Sequence, residues 1–543
     1  MTDVKQLITE HLDIWLTAET EKKSGRGRSS GSDDTIYGVK KLRKLILTLA
    51  LKGKLIKTSS EWKNYTLDQV GVWAIGSGFP KNAQGQQNEE ILFCKVSDMN
   101  LLGNEKYIND TNRSISLATA KQLKTKVHNV GTVIFPKIGG AIATNKRRIL
   151  TKPTAIDNNC LGISPHNFVD SEWLYLLLKN IDFSEYQAGT SVPALQQAKI
   201  AKIKVYVPSL EDQHKVINEV KNYRRLCDQL EQQQTLSSDA HATLVDTLLK
   251  ALTESSDADE FQSNWQRIVA NFDVLFTTEY SIEQLKQTIL QLAVMGKLVK
   301  QDPSDEPASE LLKKIADEKV KLVKEGKIKK SKPLPEIDPT KVPFEIPENW
   351  AWARFSELGE FGRGKSKHRP RNDPALFNPP IYPLIQTGEV ARAKNIIREY
   401  HSKYSEIGLA QSRMWSEGTL CITIAANIAD TAILGFDACF PDSVVGFVPI
   451  KPLDSARYLL FFMKTAREQL LAYAPATAQK NINLEILESV YIPIPPLNEQ
   501  NKIIEKVDSI IAIIDSLKLA QSKLQKTKLH LADALVANAV EGG

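Results

Sequence analysis

Two short stretches of this 543-residue chain concentrate positive charge where no regular helix can hold it. Thr144-Asn145-Lys146-Arg147-Arg148 packs three cations together. Arg363-Gly364-Lys365-Ser366-Lys367-His368-Arg369-Pro370-Arg371-Asn372 packs five lysines and arginines with a histidine among them. Glycine, proline and amide side chains between the cations favour loops over helix. Cations on loops suit two kinds of chemistry, ion pairing to phosphates and bidentate pairing of arginine to guanine edges. A solvated charged loop is the ordinary alternative for either stretch alone. The candidate contact residues are Asn145, Lys146, Arg147 and Arg148 in the first stretch and Arg363, Lys365, Lys367, His368, Arg369 and Arg371 in the second, together with Lys81, Thr190, Thr477 and Gln479.

The residues needed for catalysis on such a polymer are missing. Asn378-Pro379-Pro380 resembles the start of an amino-methyltransferase motif, but Ile381 intervenes before Tyr382 and moves the ring away from where it would stack on a flipped base. Ile75-Gly76-Ser77-Gly78-Phe79 imitates a cofactor turn about 300 residues away from it, a separation that argues against one site. No G-x-x-x-x-G-K-S/T loop is present, which argues against an ATP-driven motor. Pro441-Asp442 lacks the acid-x-lysine continuation of a nuclease. The eight histidines form no ligand pair at helical spacing, and the five cysteines form no C-x-x-C, so no metal site is expected. The cysteines are expected to be reduced thiols in a cytoplasmic protein. A formal charge of +6 and a pI of about 8.7 permit nucleic-acid binding without demanding it. No apolar run approaches a membrane span, and the first residues lack the layout of a secretion signal.

The elements that must carry these loops come in pairs. Pro208, Leu210 and Gln213 recur as Pro495, Leu497 and Gln500, 287 positions on. Behind them Val216, Val220, Tyr223, Cys227 and Leu230 recur as Ile503, Val507, Ile510, Ile514 and Leu517. Spacings of four, three, four and three form the a/d seam of a coiled coil, so each copy predicts a long helix seeking a partner. The seam is expected to resume at Leu244, Leu248 and Ala251 and at Leu531, Leu535 and Asn538. Residues 211–252 and 498–538 are expected to pack antiparallel, and the first of these spans roughly 60 Å at about 1.5 Å per residue. A second repeat, Leu47-Thr48-Leu49-Ala50-Leu51-Lys52-Gly53-Lys54-Leu55 against Leu290-Gln291-Leu292-Ala293-Val294-Met295-Gly296-Lys297-Leu298, reads as a helix stopped by glycine.

Between these repeats lie two divergent segments of about 145 residues, a usual domain size. Trp62, Val70, Gly71 and Gly76 pair with Trp350, Leu358, Gly359 and Gly364. Strands are predicted within 131–136, 201–208, 418–425 and 489–495, and helices over 172–179 and 456–471. The resulting α+β plan has an N-terminal helix and linker (1–38), a repeat helix (39–61), a first globule (62–208) and a central long helix (209–256). A linker, second repeat helix and charged insert (257–348) lead to a second globule (349–495) and a C-terminal long helix (496–543). The globules are thus tandem α/β domains joined by two long helices with an internal pseudo-two-fold repeat.

The duplicated L-x-L-A-x-x-G-K-L element, the two V/I-P-x-L-x-x-Q entries into long helices and the two unlike globules together resemble the specificity subunit of type I restriction–modification enzymes. The resemblance runs from about residue 40 to the end. It implies that each globule is a target recognition domain reading one half of a bipartite double-stranded DNA site. It also implies that the helices space the domains and dock two methyltransferase subunits, and that motor–nuclease subunits join for restriction. The chain then has no catalysis of its own, and S-adenosylmethionine, ATP and magnesium belong to the partners. The N-terminal helix and the 301–348 insert look like features of only some members. The competing readings are an adenine methyltransferase and a coiled-coil adaptor that binds proteins alone.

Overall fold

The computed structural model describes residues 4–19, 36–59, 61–78, 86–189, 192–330, 335–425, 428–472, 482 and 484–541. Two compact units emerge, one of Met1–Ser238 with Ser522–Gly543 and one of Asp239–Gln521. No helix among the described residues is long and apolar enough to cross a membrane.

In the first unit the leading helix Tyr37–Leu51 buries Val39, Leu42, Leu45, Ile46, Leu49 and Ala50. It ends at Gly53, whose φ of +70° suits a residue without Cβ and whose open face receives the Trp62 ring. The globule is then closed by a two-stranded clasp, Lys63–Thr66 antiparallel to Lys204–Val207. Inside the clasp is a five-stranded sheet ordered Gly71–Ile75, Cys160–Pro165, Val133–Pro136, Arg148–Leu150, Tyr107–Ile108. A four-stranded sheet follows the order Ser114–Ile115, Ile91–Cys94, Thr154–Ile156, Val127–His128. The helix Ser171–Asn180 is capped by the Asp170 carboxylate, which accepts from the Glu172 and Trp173 amides. Its apolar residues Trp173 to Leu178 are buried in the same cluster as Val133, Phe135 and the leading helix.

The second unit repeats the clasp and both larger sheets, while the first unit's small hairpin, Gln187–Ala188 with Ala194–Leu195, has no twin among the described residues. Its clasp pairs Ala351–Ala353 with Ile492–Ile494. Its five-stranded sheet runs Gly359–Arg363, Val444–Pro449, Leu420–Thr423, Thr431–Leu434, Ile396–Ile397, and its four-stranded sheet Ser402–Tyr404, Tyr382–Leu384, Ala438–Cys439, Met414–Trp415. Each sheet contains one parallel pair at the same place in both units. Polar contacts are duplicated too. The Tyr37 hydroxyl meets the Asp533 carboxylate at 3.0 and 3.1 Å in one unit, and Tyr280 meets Asp246 at 2.9 and 2.7 Å in the other. Lys54 donates to the Val540 carbonyl, and Lys297 to those of Thr253 and Ser255.

One twin differs in sign. Trp173 and Tyr458 stand edge-on to Trp62 and Trp350, which makes their preceding residues, Glu172 and Arg457, equivalent. Glu172 pairs with Lys221 at 2.6 Å, whereas Arg457 pairs with Asp508 at 2.6 Å. Burial alone would raise the Glu172 carboxyl, but hydrogen bonds from Lys221, Tyr107 and Lys106 outweigh it and hold it at about 2. A carboxyl depressed on folding stabilises the fold above its ordinary pKa, and this contribution is lost as pH falls from about 4.5 towards 2. Glu172→Gln is therefore expected to lower stability by about 2 kcal/mol at neutral pH and to flatten the acid limb of a pH–melting curve. An unchanged limb would remove Glu172 from the account of acid stability.

The long helices are Leu210–Thr253 and Leu497–Glu541. Each unit joins the first part of one to the last part of the other, the order an antiparallel pair requires. In the first unit Val216, Val220 and Cys227 share a cluster with Ala532, Leu535 and the leading helix. In the second, Val245, Leu249 and Leu252 share one with Ile510, Ile514 and Leu517. Two sequence expectations are corrected here. Ile503 and Val507 are buried against the globule around Trp350, with Leu460 and Phe447, and belong to a cluster separate from that of Ile514. The seam also does not resume at Leu244 and Leu531, which are 49% and 44% exposed; Val245 and Ala532, one residue on, are buried. Fifteen residues from Leu230 to Val245 exceed two heptads by one, so the repeat is shifted by a single residue there.

The repeat also reaches further than its sequence suggested. His11-Leu12-Asp13-Ile14-Trp15-Leu16-Thr17 matches Asn271-Phe272-Asp273-Val274-Leu275-Phe276-Thr277. Both segments break a helix at their first residue, and both bury the residue four on, Trp15 or Leu275. The N-terminal helices Val4–Glu10 and Leu12–Thr17 are therefore one copy of a duplicated element. The insert helix Ala308–Lys324 has no such twin among the described residues. It buries Ala308, Leu311 and Ile315 beside the start of the second globule, and Lys319 donates to the Ser356 carbonyl.

Candidate nucleic-acid interface

In the second globule the basic stretch leaves the edge strand Gly359–Arg363 of one sheet and ends before Tyr382–Leu384 of the other. Gly364 is required there, because a Cβ would stand 2.3 Å from the carbonyl oxygens of both Phe440 and Pro441. The loop is pinned by its own polar groups. Gln411 Oε1 accepts from the amides of Lys367 and His368 at 2.6 and 3.1 Å, and Ser412 donates to the Lys365 carbonyl. His368 Nε2 meets Asp373 at 2.8 Å, and Arg369 donates to the carbonyls of Ser366 and His368. Hydrogen bonds from the Ala375 amide and from His368 hold the Asp373 carboxyl below its usual range. Arg363 Nε donates to the Asp442 carbonyl, and Arg371 pairs with the Asp442 carboxylate.

Arg363, Lys365, Lys367, Arg369 and Arg371 are all exposed, and His368 is half-buried. Among the described residues the ammonium groups of Lys365 and Lys367 meet no acid. A pinned loop with exposed cations can bind phosphates with little prior rearrangement.

The first globule treats its cations differently. Arg147 is buried, with its guanidinium 4.0 Å from the centre of the Phe183 ring and 5.3 Å from that of Phe135. It donates to the carbonyls of Leu178 and Ile181, at the end of helix Ser171–Asn180 where a cation is favoured, and burial lowers its pKa to about 9. Arg148 is buried as well and donates to the carbonyls of Arg147 and Met99. Both side chains face inward, so this structure does not offer them to a ligand. Asn145 takes a left-handed turn with φ of +49° and donates to Lys179 O, while Lys146 reaches Asn100. Of the four candidate residues in the first stretch, the half-buried Asn145 and Lys146 remain near the surface. Lys81, Thr190, Thr477 and Gln479 lie outside the described residues.

Arg147→Ala is expected to destabilise the protein by about 3 kcal/mol or more, since it strips buried carbonyls of their donor and opens a cavity between two rings. Lys365→Ala should change stability by less than about 0.5 kcal/mol. Thermal melts of the two variants check both values, and equal melting points would contradict the assignment of Arg147 to the core.

The methyltransferase-like motifs have structural explanations. Gly76 is forced by the Asp157 carbonyl, which a Cβ would meet at 1.8 Å, as Gly364 is forced in the second globule. Tyr382 lies on a strand with its hydroxyl on Glu406 at 2.7 Å. The signal that the first basic stretch faces inward was the helix end opposite it, which composition does not reveal.

Comparison with known proteins matches the type I restriction modification DNA specificity domain twice, over residues 59–237 and 347–526. The chain is 33% identical to the Escherichia coli type I restriction enzyme EcoEI specificity subunit, over 98% of this chain and 99% of that one. It is 31% identical to the E. coli EcoAI specificity subunit, over 99% and 100%. A solved chain of a type I R-M system covers 89% of this chain and 98% of its own length at 17% identity, with a TM-score of 0.46.

Proposed function

This chain belongs to the type I restriction–modification specificity subunits, and from that membership we propose that its two globules each read one half of a bipartite double-stranded DNA site. The long helices hold two methyltransferase subunits, and motor–nuclease subunits join that core. Catalysis, with S-adenosylmethionine, ATP and magnesium, resides on the partners. The two E. coli relatives are named as specificity subunits of restriction enzymes and match along nearly their whole length, which supports this assignment of roles. The adenine-methyltransferase reading loses its two motifs to packing and strand geometry.

The observation that carries the DNA reading is the pinned loop 363–371, on which the exposed Lys365 and Lys367 meet no acid among the described residues. Each lysine that neutralises a phosphate releases a counterion, so each contributes about 0.9 to the slope of log K against log salt. Lys365→Ala/Lys367→Ala is therefore expected to flatten that slope by about 2 and weaken binding to all duplexes alike. Fluorescence anisotropy of the assembled complex on labelled duplex, across a salt series, measures it. An unchanged slope would take the loop off the DNA.

A further inference from the structure

Asp442 ties both ends of the basic loop. Its main-chain oxygen accepts from Arg363 Nε at 3.1 Å, and its carboxylate oxygens stand 3.1 and 3.2 Å from Arg371 Nη2. The tight approach permitted by Gly364 presses the Phe440–Ser443 turn against the loop, so the carboxylate is part of the surface that the loop presents. The ion pair is half exposed, 53% at Arg371 and 42% at Asp442. It is thus open to competition, unlike the core arginines of the first globule. The equivalent turn in the first globule is Asp157-Asn158-Asn159. Counting four residues back from Gly446 and from its twin Gly162 sets Asn158 at the place of Asp442. A carboxylate at this position is therefore peculiar to the second globule; that of Asp157, one residue earlier in the first, accepts from Asn159 instead.

An anion fixed among phosphate-binding cations opposes the very contacts that give indiscriminate affinity. It also draws one side of the guanidinium to the carboxylate, which leaves fewer of its donors for a phosphate. We propose that Asp442 is a specificity-determining residue of the second globule, screening and orienting Arg371 so that mismatched DNA cannot recruit it. This rests on the reading that loop 363–371 contacts DNA.

The test uses the full chain assembled with its methyltransferase subunits and two duplexes. One carries the site mapped from methylated positions in the host genome, and the other has the half-site of the second globule scrambled. Asp442→Asn is expected to raise affinity for the scrambled duplex about threefold or more and to steepen its salt slope by about 1, as one more phosphate is engaged. Affinity for the matched duplex should change less, so discrimination falls. Asp442→Glu, which keeps the carboxylate, should restore discrimination, and Arg371→Gln placed on Asp442→Asn should abolish the gain. Should Asp442→Asn fail to fold, Arg371→Gln alone decides. It should leave the scrambled duplex within about twofold while weakening the matched one, and a loss of more than about threefold on the scrambled duplex overturns screening. If Asp442→Asn changes neither affinity nor slope on scrambled DNA while Lys365→Ala/Lys367→Ala still flattens the slope, Asp442 is a structural pin only and the loop reading stands. If the lysine variant is also without effect, both fall.

Discussion

Replacing Ile510 and Ile514 by Asp is expected to abolish assembly with methyltransferase subunits while leaving the second globule folded. Ile514 is 3% exposed within a cluster that contains Val245, Leu249 and Leu252 of the central helix and Ile289 and Leu292 of the second leading helix. Ile510 packs on the edge of the same cluster. A carboxylate there would be buried in an apolar layer. The expected penalty is several kcal/mol per site, comparable to the whole stability of a domain once both are present. The globule survives because Ile503 and Val507, two turns earlier, belong to the separate cluster around Trp350, Leu460 and Phe447. Co-purification with methyltransferase subunits reads the loss, and near-ultraviolet circular dichroism with limited proteolysis reads the surviving globule. Normal co-purification of the double variant would show that the helices need no such layer.

Exchanging residues 350–495 for the recognition domain of another specificity subunit should change one half of the methylated sequence and leave the other half intact. The physical ground is the clasp. Ala351–Ala353 and Ile492–Ile494 close the second globule at both chain ends, and its two sheets carry their own clusters. The exchanged segment therefore enters and leaves through one antiparallel pair, and it is met from outside by the second leading helix at Leu290, Ala293 and Val294, by the insert helix at Ala308, Leu311 and Ile315, and by the long helix at Ile503 and Val507. Sequencing of methylated sites in cells carrying the chimaera gives the answer directly. A change in both halves would mean that the globules read jointly, and it would contradict the division of labour proposed above.

Much of this architecture was legible because the chain states it twice. Pro208 and Pro495, or Gly53 and Gly296, are informative as pairs in a way that neither residue is alone: a glycine kept at both copies marks a backbone position with φ near +70°. The four-three spacing gave the long helices for the same reason. Legibility failed where a residue type leaves its direction open. Arg147 and Arg148 have the composition of a phosphate-binding loop, yet the end of helix Ser171–Asn180, brought beside them by the fold, supplies the carbonyls that draw both side chains inward. The one-residue shift before Val245 escaped because Leu244 and Leu531 are as apolar as the neighbours that are buried. The twin of the N-terminal helix escaped because its spacing from the leading helix differs between the copies, so a constant offset misses it.

The sign-reversed twins, Glu172 with Lys221 and Arg457 with Asp508, bear on how such a gene can change over generations. Two copies of one framework in a single reading frame are substrates for unequal crossover. A crossover that joined the first globule to the C-terminal long helix would set Glu172 against Asp508, and the reciprocal product would set Arg457 against Lys221. Each hybrid loses an ion pair and gains a like-charge contact of about 1 kcal/mol at a half-exposed site. That handicap is small enough to be repaired by one further substitution, yet present in every such recombinant from its first expression. Replacement of a globule by one from the same position in another lineage meets no such barrier when the incoming sign matches. By that amount the reversed bridge is expected to disfavour shuffling within one gene relative to exchange between like positions of two genes.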